Sequence, residues 1–358
     1  MNKIKETINY FFIGLKTLLT NYLFQTVIFS ISFILIVIVV YRAINLRKDV
    51  DKYENFASEI EEKMETTIKI DYPKDNNNSK NKGASQIVSC LKEPLTEDTL
   101  TENLLNISKE LENTMNESNY NFAFKYKDIY TGFTLSYNSS QPIFAASVIK
   151  APEAIYIYEE AEKGNINLND TITYTSNYYS DGTGILKNTK FNVDYTIKEL
   201  VSFSIIHSDN AAHNMLNNKY KSESMYEYWK NLGTTTIFKE KSNWGAMNAD
   251  DGIIFMEELY NYYTNQNKYS EELLDYFKKS WKIITTPNNN ITIASKSGWS
   301  GYSLHDTALI LDQNPYILTI LTNRGYSEYE SFFNKMSTLI YNFHTEYWKE
   351  KISTCTKN

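Results

Sequence analysis

The stretch "FAASVIKAPEAIYIYEEAEKG", residues 144–164, decides how the rest of the chain is read. It follows a strand-like segment and carries an apolar helical pattern, with Ser147 and Lys150 near its start. Side chains three positions apart share one helix face. A hydroxyl beside an amine is a nucleophile beside a base, and the first turn of a helix favours developing negative charge. Pro152 disturbs an ordinary helix interior, so an irregular start is expected. Ser-x-x-Lys recurs at Ser79 and Ser89, so the pattern alone carries little.

Around this stretch the elements order themselves. Residues 98–115 place Leu100, Leu104, Leu105, Leu111 and Met115 at helical spacing. Phe122, Phe124 and Tyr126, then Phe133, Leu135 and Tyr137, alternate on either side of "DIYTG" as a hairpin. The middle of the chain is helical, from "TIKELVSFSII" to "EELLDYFKKSW". Strands return after residue 291 as "ITIASKSGW", "DTALILDQ" and "YILTILTNR", and a last helix follows. Strands at both ends of a helical middle point to an α+β fold. One antiparallel sheet is built from both chain ends and flanked by helices, with a helical subdomain inserted.

Upstream, residues 22–41, "YLFQTVIFSISFILIVIVVY", carry no charge and are long enough to cross a bilayer, so they read as an uncleaved membrane anchor. Lys3, Lys5 and Lys16 before it balance Arg42, Arg47 and Lys48 after it, so charge does not orient the span. Residues 42–86 read as a stalk helix, its stripe running from Tyr53 to Met64, followed by the Asn-rich tether "DYPKDNNNSKNKGAS". The folded domain is expected over 87–358. A net charge of −7 argues against nucleic acid as a partner. Two cysteines, Cys90 and Cys355, exclude zinc knuckles and disulfide-rich scaffolds. The histidines at 207, 213, 305 and 344 lack metal-ligand spacing and read as surface or packing residues, so no metal or cofactor is expected.

Two further motifs follow Ser147. In "HSDNAAHN", Ser208, Asp209 and Asn210 enter a helix, where each is also a good N-cap. In "SKSGWSG", Lys296, Ser297 and Gly298 sit on a strand, where glycine permits close approach of a ligand or a second backbone. In this order the three resemble the Ser-x-x-Lys, Ser-Asp-Asn and Lys-Thr/Ser-Gly signature of class A β-lactamases and penicillin-binding proteins. "GTGIL", 182–186, resembles a loop such enzymes carry between the first two motifs. The resemblance spans almost the whole domain and implies a β-lactamase/transpeptidase-like α/β/α sandwich.

It also implies roles. Lys150, buried beside a second cation, takes the Ser147 proton. Ser208 relays a proton to the leaving nitrogen, and Asn210 holds Lys150 and the substrate amide. Lys296 and Ser297 grip a substrate carboxylate, and the N–H groups of Ser147 and Trp299 receive the oxyanion. Two departures stand against the family pattern. The Glu-x-x-Leu-Asn that activates the deacylating water is missing from "LGTTTIFKEKSNWGAMNADDG", where Glu240 is the only glutamate and reads as a surface residue among lysines. Where many class A enzymes carry an arginine facing the carboxylate, this chain has His305 and Asp306. Slow release of the acyl group is therefore expected. In the resembled fold the terminal helices pack together, which allows a Cys90–Cys355 disulfide or leaves two free thiols.

The expected function is a membrane-anchored acyl hydrolase or transferase, its domain outside the cell, acting on a D-Ala-D-Ala-like peptide of peptidoglycan, a β-lactam or a related amide or ester. Two alternatives are a true β-lactamase with an atypical deacylating residue, and a sensor or scaffold that only binds cell-wall fragments.

Overall fold

A computed structural model describes residues 69–71, 89–95, 100–117, 122–238, 244–323 and 330–357, all within the unit Glu65–Asn358. The span expected at 22–41, the stalk stripe, most of the tether and Glu240 lie outside the described residues. Among the described residues no helix is long and apolar enough to cross a membrane.

Six strands form one antiparallel sheet: β1 (Lys69–Asp71), β2 (Phe122–Asp128), β3 (Thr134–Tyr137), β8 (Thr292–Ser300), β9 (Ser303–Leu311) and β10 (Tyr316–Thr322), in the order β1-β3-β2-β10-β9-β8. The first and last parts of the domain meet where β2 pairs with β10, Phe124 opposite Ile320. β1 corrects the expected domain boundary. Lys69 and Asp71, placed in the linker by their polar surroundings, pair with Ser136 and Thr134 at the sheet edge.

Alternation along the central strands divides the core into two layers. Phe122, Phe124, Tyr126, Leu318 and Ile320 face one layer, where α1 (Glu102–Glu117) and α8 (Glu330–Lys357) supply Leu104, Leu111, Phe333, Met336 and Ile340. Ala123, Ile317 and Leu321 face the other, which holds α2 (Lys150–Glu162), α3 (Ile197–Ile206), α4 (Asn210–Tyr220), α5 (Glu223–Asn231), α6 (Ala249–Thr264) and α7 (Ser270–Lys279). Two short ladders accompany these helices: β4 (Ile143–Phe144) with β7 (Ala246–Met247), and β5 (Thr171–Tyr174) with β6 (Val193–Thr196).

Local chemistry fixes the helix starts. Thr196 and Glu199 form a reciprocal capping box on α3, and Asn248 caps α6 by accepting from the Asp251 N–H at 2.8 Å. Cys90 and Cys355 are joined by a disulfide with a Cα separation of 5.7 Å, so the open choice between bridge and free thiols resolves to the bridge.

Candidate active site

The nucleophile's placement begins with a break from the α-helix. Ala146–Ile149 form a 3₁₀ turn leading into α2, the irregular start expected from Pro152. In that geometry residues three apart eclipse, and Lys150 Nζ lies 3.1 Å from Ser147 Oγ. Ala146, immediately before the serine, holds φ +46°, a left-handed conformation that costs a non-glycine residue energy and recurs at functional sites.

The second motif divides its labour. Asp209 is the N-cap of α4, accepting from the Ala212 N–H at 2.9 Å, while its other oxygen accepts from the N–H groups of Ile185 and Leu186 at 2.6 and 2.8 Å. It thereby pins the "GTGIL" loop, and Ser208 and Asn210 on either side project into the site. Lys150 Nζ donates to the Ser208 carbonyl at 2.6 Å and to Asn210 Oδ1 at 2.7 Å. Asn210 Nδ2 donates to the Asp181 carbonyl at 3.0 Å, which fixes the amide's orientation.

Strand β8 brings the third motif. Lys296 Nζ donates to Ser208 Oγ at 3.0 Å, and Ser208 Oγ is 3.4 Å from Lys150 Nζ, so one hydroxyl bridges two lysines. At Gly298 a Cβ would fall 2.8 Å from both the Ser147 and Val148 nitrogens, so only glycine lets this strand press against the nucleophile's turn. Gly298→Ala is expected to displace the turn, lower the unfolding midpoint and slow any acylation of Ser147 by about 100-fold; a thermal melt and timed mass spectrometry check both. Ser147, Lys150, Ser208, Asn210, Lys296 and Gly298 thus lie together in one cluster. Ser297 differs, because its hydroxyl donates to the Trp281 carbonyl at 2.7 Å. Trp299 stands 52% exposed at the rim of a cavity of about 410 Å³ beside Lys296.

Burial sets the electrostatics. Lys150 is fully buried, and desolvation together with the charge of Lys296 holds its amine well below the ordinary lysine range. Desolvation brings Lys296 down to about 7, and the nearby Asp306 carboxylate opposes that shift. Asp306, opposite Ser297 on β9, is pushed up to about 7 by its own burial. It accepts from the N–H groups of Ile283 and Ile284 at 2.7 and 2.8 Å and so positions the segment that carries Trp281.

Two features lie beyond what the motifs announce. Beneath Lys150, the buried Glu153 carboxylate binds His213 Nδ1 at 2.8 Å and Asn217 Nδ2 at 3.3 Å. The indole of Trp244 lies against the His213 ring and 5.1 Å from Lys150 Nζ, so it covers one side of the amine. Helical spacing alone offered a signal for the first: Glu153 follows Lys150 by three and His213 follows Asn210 by three. Glu153→Ala removes the carboxylate that both neighbours bind and is expected to cost about 3 kcal/mol of unfolding free energy. Urea denaturation reads this loss, and Glu153→Gln is expected to retain part of it. Among the described residues no group of three or more histidines, cysteines or acids is arranged to hold a metal ion.

A serine hydroxyl beside a buried amine, bridged to a second lysine on a sheet strand, is the constellation of an active-site serine hydrolase. The β-lactamase enzyme family matches residues 106–344, and the chain belongs to that family. Its fold is shared by PBP-A (20% identity, covering 69% of this chain and 97% of that one, TM-score 0.60). It is shared too by a β-lactamase from Sphaerobacter thermophilus (17% identity, 68% and 97% covered, TM-score 0.58). An ancestral class A β-lactamase is similar as well (16% identity, 67% and 99% covered, TM-score 0.57). No curated protein matches the chain in sequence.

Proposed function

We propose that the chain is an acyl-transferring serine hydrolase that forms an acyl-enzyme at Ser147, acting on a D-Ala-D-Ala-like peptide, a β-lactam or a related amide or ester. The observation that carries this reading is the fully buried Lys150 amine at 3.1 Å from Ser147 Oγ, with its charged form disfavoured. Neutral Lys150 accepts the serine proton as Oγ attacks the carbonyl carbon. The oxyanion turns toward the N–H groups of Ser147 and Trp299. The leaving atom takes a proton through Ser208, which touches both lysines.

Deacylation is slow in this reading. The face of Lys150 nearest the 244–248 segment meets an indole, and Glu153 is engaged by His213 and Asn217. A membrane-anchored protein with its domain outside the cell suits the Cys90–Cys355 bridge, since such bonds persist in oxidising compartments. The test is intact-mass spectrometry of the full chain with benzylpenicillin over time. One whole β-lactam is expected on Ser147, because ring opening expels nothing, and no adduct on Ser147→Ala. A folded protein that stays unmodified after long incubation overturns the reading. Nitrocefin reports the second step: a single slow burst is expected, and rapid multiple turnover identifies a true β-lactamase instead.

A further inference from the structure

Four observations describe the end of the site beyond Lys296. First, Ser297 spends its only hydroxyl hydrogen on the Trp281 carbonyl at 2.7 Å, so toward the cavity it presents lone pairs, which repel an anion. Second, two of the three Lys296 donors are committed, to Ser208 Oγ and to the Ser297 carbonyl at 2.9 Å. Third, His305, opposite Gly298 on the neighbouring strand, is uncharged. Its Nδ1 accepts from the Thr322 N–H at 3.1 Å, which leaves Nε2 to donate to the Phe144 carbonyl at 2.8 Å. Among the described residues there is no arginine. Fourth, most of the cavity's exposed wall is apolar: Ile206, Trp281 and Trp299 line it beside Thr183, His207, Ser280 and the motif residues, the two indoles 43% and 52% exposed. Two part-exposed indoles offer apolar surface to a ligand in this cavity.

We propose that this cleft selects acyl donors whose leaving portion is apolar and uncharged, an aryl or alkyl ester or amide, over donors that end in a carboxylate. The inference rests on the acyl-serine reading above and refines its substrate. In the favoured reaction the Ser147 Oγ–acyl bond forms, the ester C–O bond breaks, and the proton given to Lys150 returns to the departing phenolate through Ser208. The phenol then leaves between Trp281 and Trp299.

The test uses the full chain and two esters of N-acetylglycine, the phenyl and the 3-carboxyphenyl ester, which differ only in the carboxylate on the leaving ring. Acylation rates at Ser147 are divided by each ester's rate of alkaline hydrolysis. The phenyl ester is expected to be favoured at least tenfold. Trp281→Ala, which keeps the backbone carbonyl that binds Ser297, is expected to remove most of that preference by slowing the phenyl ester alone. A normalised ratio of one or below overturns the inference while leaving the acyl-serine reading intact, as does an undiminished preference in Trp281→Ala. Absence of an adduct from both esters overturns the acyl-serine reading itself.

Discussion

Lys150→Met is expected to slow acylation of Ser147 by about a thousandfold, the upper part of the range for loss of a general base. The amine touches the nucleophile, the Ser208 carbonyl and Asn210 Oδ1, and it is wholly out of water. The role proposed for it also fixes the sign of the pH dependence. Protonated Lys150 cannot accept the serine proton, so the rate of the parent enzyme rises as pH climbs through the Lys150 pKa. Burial and Lys296 lower that pKa, which moves the rising limb to more acid pH than a free lysine at about 10.4 would give. Stopped-flow acylation across pH measures both effects. A limb that persists unchanged in Lys150→Met assigns it to another group and removes Lys150 from the chemistry.

The second large effect concerns stability. The Cys90–Cys355 bridge closes a loop with a sequence separation of 265 and fastens the segment just before α1 to the end of α8. Closing so long a loop restricts the unfolded chain strongly, and its loss is expected to cost about 4 kcal/mol. For a domain of this size that lowers the unfolding midpoint by about 10 °C. Calorimetry of the Cys90→Ser/Cys355→Ser double variant checks it. The active site draws nothing from either cysteine, so the acylation rate at 25 °C is expected to stay at the parent value. An unchanged midpoint shows that the packing of α1 against α8 already holds the two ends.

The candidate site residues were the most legible, because the proposed chemistry constrains residue type and order together. Ser147, Lys150, Ser208, Asn210 and Lys296, from three separate motifs, meet within hydrogen-bond reach. The sheet was legible for a similar reason: alternation in 122–126 and the apolar runs near the end leave few ways to bury both faces. What escaped was held by tertiary contact. Lys69–Asp71 is too short for alternation to register and sits beside an Asn-rich run, yet β3 recruits it. Glu153 and His213 read as ordinary helical residues until α2 and α4 pack. Trp244 lies in a stretch without period, and only the fold carries its ring to Lys150. Ser297 followed its motif in identity, and a carbonyl sixteen residues earlier claimed its hydrogen.

The order of the strands has a consequence for how the enzyme comes into being. The hydroxyl at 147 and its amine are translated early, whereas Lys296, Gly298 and the strand that completes the sheet against β2 arrive near the finish. A half-made polypeptide holds the reactive group with no second lysine to share Ser208, no cleft and no backbone pressed against the turn. In the acyl-serine reading proposed above, the cluster around Ser147 is therefore complete only once the carboxyl-terminal strands have docked.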